Sequence, residues 1–302
     1  MCGLAGGFWT PQIPSSKLAS TIMMYALWQA EERGEDATGI ATTGLDDETA
    51  PRVIKMAMAA RYFLSLQAPS IAEHGVQTGL LMGHTRQYTH GSPKNPLNNH
   101  PLSVGTIVGA HNGILTHYEE QAQALLLDDK LQGQCDSELI FAVLEEENDF
   151  GASMAQQVRN WAEALPLIEG SMAITWMSAR FPRHVFVARN SNPLVLVLVP
   201  EVRGIFWGSR GAYVLEAVAH LNLQLPADKQ LTAQTWTVPA NAIFVINDEV
   251  LDEALVKGLD LTMSEFEMPW GVLYDADPTV DATGVLDDDI RHYLLPSGKE
   301  DR

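Results

Sequence analysis

A chain of 302 residues, 46% of them apolar and 19% charged, has the composition of a globular protein with a sizeable core, not of a disordered or fibrous one. No run of about 18 uninterrupted apolar residues offers a membrane span, and 38 acidic against 19 basic residues leave a net charge of −19 that repels phosphate backbones and anionic lipid, which argues against direct nucleic-acid binding. Two cysteines, Cys2 and Cys135, cannot make the disulfide framework of a secreted scaffold, and MCGLAGGFW lacks the basic start of a secretory leader, so a cytoplasmic setting is expected.

Cys2 stands directly after the initiator Met. Cleavage of that Met leaves one residue holding both a thiol, with an ordinary pKa of ~8.5, and an α-amine of ~7.7–8.0, a nucleophile and a base together. Taken alone, a cysteine at position two is more often incidental. A helix is predicted over 17–33, where Leu18, Ile22, Met23, Ala26 and Leu27 share a face, followed by strands at 39–43, 53–57 and 80–85. The last of these runs into GHTRQYTHGSPKNPLNNHP (83–101), a loop dense in hydrogen-bonding side chains and turn formers, the kind of segment that grips a small polar ligand. Arg86 is its one arginine. A guanidinium holds a carboxylate through two parallel hydrogen bonds, although an ordinary surface arginine is the commoner reading.

A strand at 107–111 leads into Asn112 and Gly113. That dipeptide is commonly a turn, yet the Asn112 amide and the Gly113 N–H are adjacent donors suited to an oxyanion. Five histidines, His84, His90, His100, His111 and His117, crowd this stretch without an HExxH or a regular His-x-His pair, so no metal is expected, and no cofactor is called for. A helix is predicted over 136–147, with Leu139, Ile140, Val143 and Leu144 on one face and Asp136 placed to cap its start, while Cys135 reads as a small core filler. Strands follow at 172–177, 184–188, 194–199, 204–208 and 242–246. Many strands with helices in pairs, in place of βαβ alternation, argue against a doubly wound fold. Residues 251–302 hold 13 acidic and 4 basic residues, so a main domain over 1–250 and an acidic extension over 251–302 are expected.

MCGLAGG at the start, RGEDATGI (33–40), GHTRQYTHG (83–91), NNHP (98–101), HNGIL (111–115) and CDSELI (135–140) stand in the order found in class II glutamine amidotransferases. Over about residues 1–248 the sequence resembles the amino-terminal-nucleophile glutaminase domains of glucosamine-6-phosphate synthase and glutamine phosphoribosylpyrophosphate amidotransferase. The resemblance implies an α+β fold, the four-layer αββα sandwich of the amino-terminal-nucleophile hydrolases. It implies that Cys2 is the nucleophile with its own α-amine as base, and that the Asn112 side chain and Gly113 N–H form the oxyanion hole. It places Arg86 on the α-carboxylate and Asp136 on the α-ammonium of L-glutamine. Thr89 and His90 match positions that shape the glutamine pocket, and Arg33, Gly34 and Asp36 match a loop beside the nucleophile.

The chain departs from the family at Gln87, where the synthase loop carries a tryptophan belonging to a lid that covers glutamine and gates ammonia; Tyr88 is placed to take over part of the covering. Complete members carry a synthase domain after the glutaminase, which the acidic extension is too short to supply, so a separate ammonia-accepting synthase subunit is the expected partner. Phe266, Met268, Trp270, Leu273 and Tyr274 form an apolar knot in that extension, suited to docking the partner or, the more ordinary behaviour, to folding back on the domain. Two other functions share these features. One is a γ-glutamyl amide hydrolase of the same fold, whose terminus more often reads MCR; the other is a non-catalytic regulatory subunit that keeps the fold.

Overall fold

The computed structural model describes residues 2–43 and 51–259, together with the backbone of 265–267. In chain order the first half forms β1 (Gly3–Trp9), α1 (Ser16–Gln29), β2 (Ala37–Thr42), β3 (Arg52–Met56), α2 (Ala60–Thr78), β4 (Leu80–Arg86), β5 (Leu102–Val104) and β6 (Ile107–Leu115). Then come α3 (Tyr118–Ala124), α4 (Glu138–Glu146), α5 (Met154–Ala164), β7 (Gly170–Ser178), β8 (Val185–Arg189), β9 (Val195–Val199) and β10 (Gly204–Gly208). The chain continues through α6 (Ala212–Asn222), β11 (Gln234–Thr237), β12 (Ala242–Ile246), α7 (Asp248–Lys257) and β13 (Glu265–Glu267).

The strands make two sheets, one ordered β11-β9-β10-β1-β4-β2-β3 and the other β13-β12-β8-β7-β6-β5. Each pairing is antiparallel. Side chains alternate between the faces of a strand, and here both faces are covered, which is why VLVLV and AIFVI read as unbroken apolar runs. Leu4, Phe8, Met82, Leu196 and Trp207 of the first sheet meet Val108, Ala110, Ala173, Val187 and Phe244 of the second. Their neighbours Ala5, Trp9, Val197 and Phe206 point the other way, onto Met23 and Leu27 of α1, Phe63 of α2 and Val214 of α6. On the far side, Ile174, Trp176, Phe186 and Ile243 pack against Leu139, Ile140 and Phe141 of α4 and Trp161 of α5. Helix, sheet, sheet and helix follow one another as four layers, the αββα sandwich.

Helix α1 ends at Gln29 and tightens into a 3-10 turn over Ala30–Arg33, so the predicted 17–33 segment bends before its end. The predicted strands recur within a few residues, except that β6 continues to Leu115 and carries Asn112 and Gly113 inside the strand. The turn reading of that pair fails, because both residues are laddered to β7, opposite Ala173 and Met172. The division expected near residue 250 lies within α7, whose Val250, Leu251 and Ala254 join the inter-sheet core. The apolar knot of the extension lies outside the described residues, apart from the Phe266 backbone, which pairs with Ile243. Among the described residues no helix is long and apolar enough to cross a membrane.

Candidate active site

Cys2 sits at the head of β1, and because Gly3 pairs with Thr85, it emerges beside the strand end that carries Arg86. Its Sγ lies 3.6 Å from the Gln87 carbonyl oxygen, and its own carbonyl accepts a 2.9 Å hydrogen bond from Arg33 Nε. The turn that supplies Arg33 is tied to β4, since Thr85 Oγ1 donates to the Ala30 carbonyl at 2.7 Å. Gly34 then lies flat on the Arg86–Gln87 peptide: a Cβ there would stand 2.3 Å from the Arg86 carbonyl carbon and the Gln87 nitrogen. Asp36 completes the contact. Its N–H donates to the Arg86 carbonyl at 3.0 Å, and its Oδ2 accepts from Gln87 Nε2 at 3.1 Å and Tyr88 N at 3.0 Å.

Burial pushes the Cys2 thiol above the ordinary thiol range. A backbone hydrogen bond at Gln87 and the positive charge of Arg86 pull it down, and the negative charge of Asp136 pushes it up again. Two residues far apart in sequence and opposite in charge therefore act on one sulfur. The thiol is left predominantly protonated at neutral pH, so a nucleophilic role requires a base at hand.

Arg86 is buried, with Nη1 donating to Asn99 Oδ1 at 2.9 Å and Nη2 to the carbonyls of His90 and of Gly91, the latter at 3.0 Å. The guanidinium thus shapes the loop it belongs to. Gln87, Tyr88, Thr89 and His90 are exposed along that loop, and the His90 ring meets the edge of Tyr118.

Asn112 is fully buried in β6. Its backbone carbonyl accepts from Asn192 Nδ2 at 2.7 Å, and its Nδ2 lies 3.3 Å from Ser209 Oγ, which also receives the Leu4 N–H at 2.9 Å. Asn112 Oδ1 has no partner among the described residues. Gly113 meets the facing strand so closely that a Cβ would stand 1.8 Å from the Ser171 carbonyl oxygen.

Asp136 is buried, and its Oδ2 accepts from Leu115 N at 2.8 Å. The capping role is therefore corrected: Ser137 occupies the cap of α4, and the Asp136 carboxylate is turned to the end of β6 instead. Behind it lie three buried histidines. His84 and His100 stack with ring centres 4.2 Å apart, His100 Nδ1 accepts the His111 N–H at 3.1 Å, and His111 Nδ1 is 2.7 Å from Ser137 Oγ. Burial lowers His84 to about 3 and holds His100 and His111 below the usual imidazole range, so the array is neutral. Cys135 packs against it, with Sγ 3.5 Å from His100 Nε2, and burial raises its thiol to about 12. Among the described residues no group of three or more His, Cys, Asp or Glu is arranged to hold a metal ion.

Of the residues singled out in the sequence, Arg33 and Gln87 touch Cys2, Gly34 and Asp36 pack on the Arg86–Gln87 peptide, and Arg86 and Asp136 act on the sulfur by charge, while Thr89 and His90 lie on the exposed loop after Arg86 and Asn112 and Gly113 lie in β6 of the second sheet. Ser209, Asn99 and Asn192, which hold these groups, are given no role by the sequence, although Asn99 stands within NNHP. Each is an ordinary polar residue, and only the fold brings it to the site.

No family model matches the chain. It is 32% identical over 203 residues to a protein of Lactococcus lactis subsp. lactis named glutamine–fructose-6-phosphate aminotransferase (isomerizing), covering 66% of this chain and 30% of that protein. The protein of that name from Haemophilus influenzae is 30% identical over 205 residues, with the same coverage. Among solved structures, glutamine phosphoribosylpyrophosphate amidotransferase of Bacillus subtilis superposes with a TM-score of 0.59 at 21% identity, over 82% of this chain and 48% of that one. These relatives are class II glutamine amidotransferases, and the chain is similar to them over about two thirds of its length. It has the fold of their amino-terminal-nucleophile domains, and it spans about 30% of the length of the curated relatives it matches. Gln87, where the sequence departs from the expected motif, is hydrogen-bonded to Asp36.

Proposed function

We propose that the chain hydrolyses L-glutamine to glutamate and ammonia through a Cys2 thioester, and that the ammonia passes to an acceptor on a separate synthase partner. The observation that carries this reading is that two opposite charges, Arg86 at the end of β4 and Asp136 in the turn before α4, both act on the Cys2 sulfur. A free amino acid has one charged end for each. Cleavage after Met1 frees the Cys2 α-amine, which takes the thiol proton, through a water, as Sγ attacks the glutamine carboxamide carbon. The C=O electron pair moves onto oxygen, where the Asn112 amide and the Gly113 N–H stabilise it. Collapse expels ammonia carrying that proton and leaves a γ-glutamyl thioester. Water then attacks the thioester, with the same amine as base, and releases glutamate.

The relatives named for fructose-6-phosphate amination support delivery of the ammonia to an acceptor. The test is intact mass spectrometry before and after diazo-oxo-norleucine, with ammonia release measured alongside. Loss of the Met1 mass, one adduct on Cys2, and ammonia from glutamine in preference to γ-glutamyl peptides are expected. An active protein that retains Met1, or an unlabelled Cys2, overturns the mechanism.

A further inference from the structure

The hydrogen bonding around Asn112 is unbalanced as it stands. Leu4 N–H and Asn112 Nδ2 both point at Ser209 Oγ, so the hydroxyl receives two donors while its own proton faces no acceptor among the described residues. At the other end of the same amide, Asn112 Oδ1 is buried without a partner among the described residues. A buried amide oxygen left unpaired is costly, and an unused hydroxyl proton one contact away is the donor it lacks.

A half-turn of the carboxamide about its terminal torsion resolves both defects. The chain then reads Leu4 N–H to Ser209 Oγ, and Ser209 O–H to Asn112 Oδ1. The orphan becomes Nδ2, a donor of two hydrogens, on the side of the amide away from Ser209. An unpaired donor inside a protein calls for an acceptor that arrives with the ligand. The backbone cannot swing to accommodate otherwise, since Asn192 Nδ2 holds the Asn112 carbonyl at 2.7 Å and Ser209 N–H is itself fixed on the Leu4 carbonyl at 3.0 Å.

We propose that Ser209 is a positioning residue: its hydroxyl fixes the orientation of the Asn112 amide so that Nδ2 faces the oxygen of the reacting carboxamide. Through Leu4 it also sets the register between that donor and Cys2, two residues earlier on the same strand. The proposal rests on the glutaminase reading of the site.

The experiment compares Ser209→Ala, Ser209→Thr, Asn112→Ala and the double variant Ser209→Ala/Asn112→Ala in steady-state ammonia release. It also follows alkylation of Cys2 by iodoacetamide, a displacement that forms no oxyanion. Removing an oxyanion donor outright costs ~10²–10³ in kcat, and leaving it free to turn is expected to cost roughly 10–100-fold with KM changed less than about threefold. Ser209→Thr keeps a hydroxyl and is expected to retain most turnover. The double variant should be no slower than Asn112→Ala, and Cys2 alkylation should stay within about twofold of the parent throughout. Turnover of Ser209→Ala within twofold of the parent, equal loss in Ser209→Thr, additive losses in the double variant, or alkylation slowed as much as turnover would each overturn the proposal. A parent chain that releases no ammonia from glutamine overturns the functional reading itself, and the proposal with it.

Discussion

Arg33 Nε donates a 2.9 Å hydrogen bond to the carbonyl oxygen of Cys2, so the residue that closes the turn after α1 holds the backbone of the residue that opens β1. A chain terminus is ordinarily the loosest part of a fold. A nucleophile placed there needs an anchor beyond its own ladder, and a hydrogen bond from a charged donor contributes roughly 1.5–3 kcal/mol. Arg33→Met is expected to lower kcat/KM for glutamine about tenfold and to slow Cys2 alkylation alongside, because the sulfur itself loses its place. Alkylation and turnover both at parental rates in that variant would show the anchor to be idle.

Asp36 acts on the loop that follows Arg86, where its Oδ2 receives both Gln87 Nε2 and Tyr88 N. Those residues are exposed, so the contact orders a surface loop and does little for the core. Asp36→Ala is expected to raise the KM for glutamine several-fold with a smaller change in kcat, and to leave the melting temperature within about 2 °C of the parent. A change confined to kcat would mean that the loop is not part of the substrate's enclosure.

Much of this was readable in advance, and the failures have local causes. The apolar runs of β8, β9, β10 and β12 identify themselves because both faces are buried. Strand β1 does not, since Gly3, Gly6 and Gly7 lower strand propensity. Its glycines answer to neighbours remote in sequence: a Cβ on Gly6 would stand 2.2 Å from the Trp207 ring, and one on Gly7 2.6 Å from Phe206. Helix α2 hides behind Pro69 in its interior and a weakly patterned face. At the site, Cys2, Arg86, Asn112 and Asp136 carry chemistry in their side chains and could be picked out. Ser209 could not, because its meaning lies in two partners, Leu4 and Asn112, on different sheets.

Gly113 provides a test of close approach. With the Ser171 carbonyl oxygen 1.8 Å from where a Cβ would stand, and His111 Nε2 at 2.3 Å, Gly113→Ala forces β6 and β7 apart within the second sheet. Overpacking against backbone has no flexible side chain to absorb it, and a loss of at least about 3 kcal/mol is expected. Thermal melting should show a fall of roughly 6–12 °C, with glutaminase activity lost well below the melting point. A melting temperature unchanged from the parent would mean the two strands are not paired in this register.

The buried histidines determine how the fold answers to acid. His84, with its pKa lowered to about 3 by burial, and His100 and His111, lowered by the same cause, stay neutral in the folded state, whereas in the unfolded chain each titrates near ~6.5. A group whose folded pKa lies below its unfolded one favours folding fully only above the unfolded value. As pH falls through about 6.5 the unfolded state takes up protons that the folded state refuses, so stability declines, and the Asp136 charge, which raises His111, offsets part of that for one ring only. Urea denaturation at pH 7.5, 6.5, 5.5 and 5 is expected to give a free energy that drops with a slope steepening toward roughly three protons. His84→Asn should reduce that slope by about one proton, provided it folds at pH 7.5. A parent protein whose stability is flat from pH 7.5 to 5 would show that these imidazoles reach water, and the dry histidine layer behind Asp136 would have to be abandoned.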